Sequence, residues 1–430
     1  MIFVPERRLE AQLIANPTIK ISALWNVGLT LTLQLYIKEG DDIAARSCRE
    51  DWFMASLDSP ITIVRPHLIE FGIGTAGKLG KWAADKGYRR TLIISDAFNA
   101  SRIDVLELKG EVTLFAEVTP EPDTVNLEKV LAAANAADAE LIVGFGGGSA
   151  MDLAKLAAVL AGSAQTLQEV VGPNKVHGPR KVALAQVPTT SGTGSEAGIR
   201  ALVTDPATMA KLAVESLHML ADIAVIDPAL TFSVPARTTA ATGVDAMAHC
   251  VEAFTNRKAH PMVDIYAIEG TRLVGKYLAR AVKDGNDAEA RAGLSLASLY
   301  GGFCLGPVNT AGGHALAYPL GTRWHVAHGA ANALIFPHVL AFNTPSAPEK
   351  TKAVMEALGR ETSGNVTSVF DAAYAFCGEL GIEMKLSGLG VPETDLDAMA
   401  DDAFAIRRLL DNNPRDLSRA DIRAIYAAAF

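Results

Sequence analysis

Residues 141–155 read LIVGFGGGSAMDLAK, in which an apolar run is followed by three consecutive glycines and then a helical pattern. Residues 141–145 form a short apolar run that predicts a buried strand, and residues 150–160 have the periodicity of a helix. The glycines between them place bare backbone amides at the positive end of the helix dipole, where phosphate binds well. However, the run lacks the third glycine of the G-x-G-x-x-G fingerprint of dinucleotide-binding folds. A tight turn between a strand and a helix would also need glycine without binding any phosphate.

Strands and helices continue to alternate on both sides of this stretch. Further strands are predicted at residues 91–95, 112–116, 182–187 and 223–226, and further helices at 76–86 and 124–137. Such alternation is typical of a mostly parallel sheet. After residue 235 the strand signals stop, and helical stretches rich in Ala and Leu continue to the end. We therefore predict an α/β dinucleotide-binding domain over 54–235, an all-helical domain over 236–430, and a ligand cleft between them.

The first 53 residues differ in composition from the rest and form an extension of uncertain structure. Residues 21–37 carry no charge, which raises the alternatives of a signal peptide or a membrane anchor. The stretch is shorter than the roughly 20 residues of a spanning helix. Leucines at positions 29, 31, 33 and 35 alternate instead, which favours a strand, and Met54 is an alternative start of the chain. We expect no membrane segment.

Composition and charge exclude several other classes of protein. The 39 Lys and Arg residues against 48 Asp and Glu give a net charge of −9, and there is no basic block to bind a nucleic-acid backbone. Cysteines at positions 48, 250, 304 and 377 are far apart and form no C-x-x-C pair. Such spacing fits a reducing compartment and argues against a thiolate zinc site. We predict a cytoplasmic protein whose partner is a small molecule.

A second polar loop follows the strand predicted at 182–187. Residues 188–196 read PTTSGTGSE, and their five hydroxyl groups suit a polar cofactor, although a solvated loop would look similar. Loops that follow different parallel strands meet at one edge of the sheet, so the two loops together indicate a dinucleotide. Asp96, directly after the strand at 91–95, could bind an adenosine ribose and repel a 2′-phosphate, which favours NAD over NADP. Asp152, expected in the first helical turn, could complement the helix dipole or accept hydrogen bonds from the cofactor.

The second half of the chain contains a candidate metal site. Asp245 and His249 are four residues apart on a predicted helix, so both side chains project from one face. With His314 and His328 they make three imidazoles and one carboxylate, a set that suits Fe²⁺ or Zn²⁺. Spacing alone does not choose between this set and the other histidines of the same half, which are His260, His325 and His338.

Four blocks together resemble the iron-containing, group III alcohol dehydrogenase family: residues 146–155, 188–196, 245–249 and 314–338. The resemblance spans about residues 60–343. It implies a dinucleotide-binding α/β domain, an all-helical metal domain, and reversible conversion of an alcohol to an aldehyde or ketone with a nicotinamide cofactor. The metal ligands of the family fall on Asp245, His249, His314 and His328. Its cofactor-contacting positions fall on Gly147, Gly148, Ser149, Asp152, Thr189, Thr190, Ser191, Thr193 and Lys211.

Two residues depart from the family pattern. Tyr318 stands where many members have a second histidine that could relay protons. A phenol has an ordinary pKa near 10 against about 6.5 for imidazole, so it is the poorer base at neutral pH, and solvent or the cofactor ribose could take the proton instead. Arg200 stands where members that act on small diols have a neutral side chain. It could bind a carboxylate or sulfonate of the substrate, turn outward, or pair with Glu196 or Asp205.

We therefore expect a metal-dependent, NAD-linked oxidoreductase for an alcohol and its aldehyde or ketone, with hydroxy acids and semialdehydes as candidate substrates. Two alternatives come from other classes. One is an NAD- and metal-dependent lyase like 3-dehydroquinate synthase, which would produce no net NADH, and the other is a non-enzymatic nucleotide-binding protein. The apolar helical half also favours a homodimer.

Overall fold

The computed structural model describes residues 57–208 and 210–430, together with the backbone of two short antiparallel strands, β1 (Lys20–Ile21) and β2 (Leu35–Tyr36). The chain divides after Trp52 into two compact units, and the elements below all belong to the second, Phe53–Phe430. Of the strand expected at positions 29–35 only Leu35 is described, and Met54 lies outside the described residues. Among the helices that the structure describes, none combines the length and apolar character needed to cross a bilayer.

A six-stranded parallel sheet holds the predicted glycine-rich turn. Its strands are β3 (Leu68–Phe71), β4 (Arg90–Ser95), β5 (Glu111–Phe115), β6 (Leu141–Gly146), β8 (Ala183–Pro188) and β11 (Ile223–Ile226), in the order β3-β11-β8-β6-β4-β5. The five predicted strands are confirmed to within one residue at each end. Strand β3, at one edge of the sheet, had not been predicted.

Three further strands form a small mixed sheet that the sequence pattern did not predict. They are β7 (Gly172–Pro173), β9 (Arg200–Thr204) and β10 (Lys211–Glu215), in the order β7-β10-β9. β9 and β10 are antiparallel, with Arg200 directly opposite Glu215. Only alternate residues of β9 are buried, so the hairpin lacks the continuous apolar run that revealed the central strands.

Helices flank the six-stranded sheet and form most of the second half of the described chain. In the first half they are α1 (Lys78–Asp85), α2 (Ala97–Ala100), α3 (Thr124–Ala136), α4 (Gly148–Leu160) and α5 (Leu167–Val170). In the second half they are α6 (Ala236–Thr255), α7 (Pro261–Lys283), α8 (Ala288–Leu305), α9 (Gly312–Trp324), α10 (His328–Asn343), α11 (Pro348–Ala357), α12 (Val366–Gly378), α13 (Leu396–Ala405), α14 (Arg407–Leu410) and α15 (Arg419–Ala428). The predicted α/β half followed by a helical half is confirmed.

The central strands are buried on both faces because helices cover both sides of the sheet. Successive residues of a strand point to opposite faces. Ile142 of β6 accordingly belongs to the same core cluster as Leu153 of α4, whereas its neighbour Val143 belongs to a second cluster with Leu79 of α1. The last strand ends at Ile226 and the first long helix begins at Ala236, but the domain boundary between them stays a prediction.

Candidate active site

A cavity of about 1050 Å³ opens between the carboxyl edge of the parallel sheet and the helices of the second half. This volume is at the upper end of the roughly 300–1,000 Å³ of ordinary ligand pockets, so there is room for a large cofactor and a substrate together. The predicted site residues that line it are Asp96, Gly147, Gly148, Ser149, Asp152, Thr189, Thr190, Thr193, Arg200, Lys211, Asp245, His249, His314, Tyr318 and His328. Ser191 does not line it.

The two predicted loops lie side by side because β6 and β8 are neighbours in the sheet. Gly146 is in register with Pro188, and the backbone N–H of Thr189 donates to the carbonyl of Gly146 at 2.9 Å. A Cβ at position 148 would lie 2.8 Å from Cγ2 of Thr193, so glycine is needed for this close approach. Helix α4 begins at Gly148, and its first amides therefore face the cavity beside the hydroxyl loop.

Asp152 is in the second turn of α4 and not, as expected, in the first, because the helix begins two residues earlier than predicted. Its carboxylate accepts the hydroxyl of Ser195 at 2.5 Å and the backbone N–H of Leu202 at 2.9 Å. The buried Lys155 donates to Ser195 at 2.6 Å and to the carbonyl of Arg200 at 2.7 Å. Asp152 and Lys155 thus connect helix α4 to the hydroxyl loop and to β9, and the position of Asp152 outside the first turn removes the basis for the helix-dipole alternative.

Ser191 and Asp96 differ in their relation to the cavity. The Ser191 hydroxyl is buried and lies 3.0 Å from the hydroxyl of Ser295 in α8, so the structure does not bring Ser191 to the cavity wall. Asp96 does line the cavity, next to Gly146. It also caps α2, with one oxygen accepting the backbone N–H of Asn99 at 2.9 Å and the other accepting its side-chain amide at 2.6 Å.

The two predicted cationic residues of the cavity are both paired with carboxylates. Arg200 donates Nε to Glu215 at 3.1 Å and a terminal nitrogen to the same oxygen at 2.5 Å, and its other terminal nitrogen donates to Asn309 at 2.7 Å. Its carboxylate partner is therefore Glu215, across the β9–β10 hairpin, and neither Glu196 nor Asp205. Lys211 forms an ion pair with Glu121, a non-glycine residue whose φ of 52° is left-handed.

Asp245, His249 and His314 lie in one buried cluster whose candidate ligand atoms are within 4.8 Å of one another. The Nε2 atoms of His249, His314 and His328 are 3.9, 3.6 and 3.5 Å from Oδ1 of Asp245. Ligand atoms placed about 2.0–2.2 Å from an ion at the corners of a tetrahedron are roughly 3.4 Å apart. Asp245, His249 and His314 therefore fit a divalent transition metal in both spacing and chemistry, and Nε2 of His328 lies beside this group, close to the same carboxylate oxygen.

The charges of this cluster also suit a cation. Burial opposes ionisation of Asp245, but the nearby imidazoles, His249 first, hold its pKa well below the usual range. Burial lowers the pKa of His249 to about 4, which keeps the imidazole neutral. His314 differs, because the carboxylates of Glu252 and Asp245 outweigh its burial and raise its pKa to about 10. A histidine between two carboxylates is a place where positive charge is stabilised.

The other histidines of the helical half lie outside this cluster. His260 caps α7 by accepting the backbone N–H of Met262 at 3.1 Å. His325 lines the cavity but is the exposed, left-handed residue that ends α9. His338 is buried against Phe370 in a separate cavity. Tyr318 stacks on His328, with the ring centroids 5.7 Å apart.

Two polar residues beside the cluster had not been predicted. Glu252 contacts His314, and the side-chain amide of Asn332 donates to Oδ1 of Asp245 at 2.8 Å. Both follow a ligand at helical spacing, because Glu252 is three residues after His249 and Asn332 is four after His328. That spacing is a signal that could have revealed them.

A backbone contact joins the hydroxyl loop to the helices around the metal cluster. Gly194 has a left-handed φ of 61°, and a Cβ there would lie 2.5 Å from Cα of Gly302 in α8. A Cβ at the adjacent Gly301 would lie 3.2 Å from Cβ of His249. The backbone of α8 is thus packed between the hydroxyl loop on one side and a predicted metal ligand on the other.

Family models match most of the described chain. A model of the family "Iron-containing alcohol dehydrogenase" matches residues 66–228, and a model of "Fe-containing alcohol dehydrogenase family, C-terminal" matches residues 239–430.

Individual relatives agree with these matches. The chain is 38% identical to "Long-chain-alcohol dehydrogenase 1" of Geobacillus thermodenitrificans, over 86% of this chain and 96% of that protein. The crystal structure of a 1,3-propanediol oxidoreductase superposes with a TM-score of 0.82 at 30% identity, over 86% of this chain and 100% of the other. The sulfoacetaldehyde reductase of Bifidobacterium kashiwanohense in complex with NAD⁺ superposes with a TM-score of 0.78 at 26% identity, over 86% and 98%.

Proposed function

The chain belongs to the iron-containing alcohol dehydrogenase family, an NAD-linked class of oxidoreductase, and on that premise we propose that its cavity interconverts a neutral alcohol and its aldehyde. One observation carries the proposal. The glycine and hydroxyl loops suited to a dinucleotide and the cluster of three imidazoles and one carboxylate line the same cavity. A dinucleotide and a metal-held substrate could therefore meet there.

We propose Asp245, His249, His314 and His328 as ligands of Fe²⁺, with Zn²⁺ as the alternative. A bound divalent ion acts as a Lewis acid toward the oxygen of an alcohol or a carbonyl. The first three side chains are buried, and the fourth side chain is 28% exposed, which leaves one side of the cluster accessible from the cavity. With four protein ligands, a substrate oxygen approaching from the cavity side, beside His328, would be a fifth ligand, an expansion that catalytic zinc sites also show.

We propose that NAD, which accepts or supplies the hydride, binds across the carboxyl edge of the sheet. The amides of Gly147, Gly148 and Ser149 at the start of α4 would hold its pyrophosphate. Asp96 would bind the adenosine ribose. The remaining proposed contacts come from Asp152, Thr189, Thr190, Thr193 and Lys211, whereas the buried Ser191 supports the hydroxyl loop through Ser295.

Tyr318 is the proposed proton relay, because it lines the cavity and stacks on His328. Its hydroxyl can pass the alcohol proton toward solvent.

The environment of Arg200 favours a neutral substrate. Glu215 and Asn309 accept hydrogen bonds from all three guanidinium nitrogens, and the Glu215 carboxylate neutralises the charge, so an anionic substrate would compete with Glu215 for Arg200. An acidic aldehyde is the second candidate, because Arg200 lines the cavity and a structural relative is named a sulfoacetaldehyde reductase. A neutral substrate would leave the Arg200–Glu215 pair intact, whereas an acidic aldehyde would bind to Arg200 in place of Glu215.

We further propose a cytoplasmic homodimer. Cys250, Cys304 and Cys377 are buried free thiols, which suits a reducing compartment. Among the described strands, β3 lies at one edge of the sheet and has partly exposed apolar side chains, Leu68 and Phe71, and an edge of this kind favours pairing with a second copy. Light scattering coupled to size-exclusion chromatography tests the dimer, and a monomer at micromolar concentration would contradict it.

The first test of the activity follows NADH absorbance when Fe²⁺- or Zn²⁺-loaded protein is mixed with neutral aldehydes and with semialdehydes. We expect NADH consumption that is fastest with the neutral aldehydes, and none with an Asp245→Asn variant. Preference for the semialdehydes would make Arg200 a substrate anchor. A metal-loaded protein that consumes no NADH with any aldehyde would contradict the dehydrogenase and favour the lyase or the non-enzymatic alternative.

A further inference from the structure

Glu252 is a buried carboxylate that none of the proposed catalytic steps uses. It lies on α6 three residues after His249 and seven after Asp245, so the three side chains share one face of the helix. Its carboxylate points toward the beginning of α9. There, Oε1 accepts the backbone N–H of His314 at 3.1 Å and lies 2.8 Å from the ring Nδ1 of His314, while Oε2 accepts the backbone N–H of Ala311.

Two features at the start of α9 favour the contact between Glu252 and His314. The first amides of a helix have no partner within the helix, and Glu252 supplies acceptors for two of them at the start of α9. A Cβ at position 313 would lie 2.5 Å from Oε1 of Glu252. Glycine at this position therefore lets the carboxylate come close to His314.

The contact determines which nitrogen His314 offers to the cluster. In the neutral ring, which is the form that binds a metal, a carboxylate beside Nδ1 holds the hydrogen on that atom and leaves the lone pair on Nε2. That Nε2 atom faces the cluster, 3.6 Å from Oδ1 of Asp245. Carboxylate partners of this kind fix the tautomer and the ring orientation of metal-binding histidines.

We infer that Glu252 is a positioning residue of the metal site, which fixes the tautomer and rotamer of His314 through Nδ1 while it caps helix α9. The inference rests on the metal site of the proposed function. A carboxylate that only capped the helix would contribute to stability and leave metal affinity unchanged. Metal affinity and thermal stability therefore separate the two roles.

The experiment compares Zn²⁺ affinity, measured by competition with a chromophoric chelator, in the parent protein and in Glu252→Gln. We expect the variant to bind Zn²⁺ about 10 to 100 times more weakly. Its NAD⁺ affinity should stay within twofold of the parent, since Glu252 does not line the cavity. In Co²⁺-loaded protein the visible absorption bands should shift, because the ligand field changes when His314 is less firmly held.

Asp264→Asn is the matched control. Asp264 is a partly buried carboxylate of α7 that pairs with Lys350 and is not one of the cavity-lining residues. This variant should lower the melting temperature and leave Zn²⁺ affinity within twofold. A second variant, Gly313→Ala, displaces the Glu252 carboxylate without changing its charge and should weaken Zn²⁺ binding about tenfold.

Equal Zn²⁺ affinity in the parent, in Glu252→Gln and in Gly313→Ala would overturn the positioning role. The same conclusion follows if Asp264→Asn loses as much affinity as Glu252→Gln, because the loss would then reflect stability alone. If Glu252→Gln does not fold, the Zn²⁺ affinity of Gly313→Ala tests the positioning role in its place. A parent protein that binds no Zn²⁺, or an Asp245→Asn variant that binds it fully, would overturn the proposed metal site and this inference together.

Discussion

The side-chain amide of Asn332 donates to Oδ1 of Asp245 at 2.8 Å, and the same nitrogen lies 3.2 Å from Nε2 of His328 and 3.3 Å from Nε2 of His314. One neutral donor is thus in contact with three of the four proposed metal ligands. It orients the carboxylate without adding charge to the cluster.

Replacing this donor by a carboxylate should make the fold depend on a cation. In Asn332→Asp two carboxylates would face each other in a buried site, which disfavours ionisation of both. We expect the melting temperature of chelator-treated protein to fall by about 3 °C. Saturating Zn²⁺ should then raise it more in the variant than in the parent. Asn332→Ala controls for loss of the hydrogen bond, and equal metal-free melting temperatures in all three proteins would contradict the expectation.

Loss of a proposed ligand should separate metal binding from cofactor binding. Asp245→Asn and His314→Ala should retain no stoichiometric metal after gel filtration and show no turnover, while the Kd for NAD⁺ stays within about twofold, because the dinucleotide loops lie on the sheet edge. His325→Ala is the control, since His325 lines the cavity outside the cluster. Metal analysis and NAD⁺ titration measure both effects. Loss of metal from His325→Ala alone would identify a different ligand set.

Tyr318 should matter for proton transfer and not for metal binding. Tyr318→Phe keeps the ring that stacks on His328 but removes the hydroxyl, so we expect kcat for alcohol oxidation to fall about 100-fold at neutral pH with unchanged metal content. Tyr318→His should restore much of the rate and shift the pH profile, because imidazole titrates nearer to neutrality. Unchanged kcat in Tyr318→Phe would mean that the proton passes directly to solvent.

The Arg200–Glu215 pair should control discrimination between neutral and anionic substrates. Glu215→Gln frees the guanidinium from its carboxylate partner, and we expect kcat/KM for an acidic semialdehyde to rise about tenfold. Activity with a neutral aldehyde of similar length should change less than threefold. Arg200→Met should also change kcat/KM for the neutral aldehyde less than threefold. A large loss of kcat/KM with neutral aldehydes would show that the Arg200–Glu215 pair is needed to maintain the shape of the cavity.

Glu196 should make the protein less stable as the pH rises. Its side chain is 2% exposed, and burial raises its pKa from the usual 4.5 to about 7. The folded state therefore holds a proton that the unfolded chain releases. The stabilisation is complete below about pH 4.5 and is lost as the pH rises through 7. Glu196→Gln should flatten the stability curve between pH 5 and pH 8 in urea unfolding, whereas the exposed Glu269→Gln should not.

The sheet was predictable because its central strands are continuous apolar runs, which the burial of residues 92–95 and of all of β6 explains. Contacts between residues that are far apart in the sequence could not be predicted in this way. The partner of Arg200 is fixed by the register of the β9–β10 hairpin, which has no strong apolar signal.

Within the site, helical spacing was enough to pair Asp245 with His249. The choice of His314 and His328 over His325 depended on family resemblance, because three positions along the chain do not reveal which imidazole faces a buried carboxylate. Ser191 shows that the role of a single polar side chain is also hard to predict. A loop rich in hydroxyl groups does not reveal which hydroxyl groups face a ligand and which hold the loop in place, as Ser191 does through Ser295.

Gly194 of the hydroxyl loop and Gly302 of α8 are in backbone contact, beside Gly301 and His249. Because no side chain separates these two backbones, the position of α8 directly limits the position of the hydroxyl loop. The spacing between the proposed cofactor loop and the proposed metal ligand His249 therefore depends on the size of the residues at this contact. A methyl group added at position 302, which does not line the cavity, would act as a spacer between the hydroxyl loop and α8, and we expect it to slow the reaction.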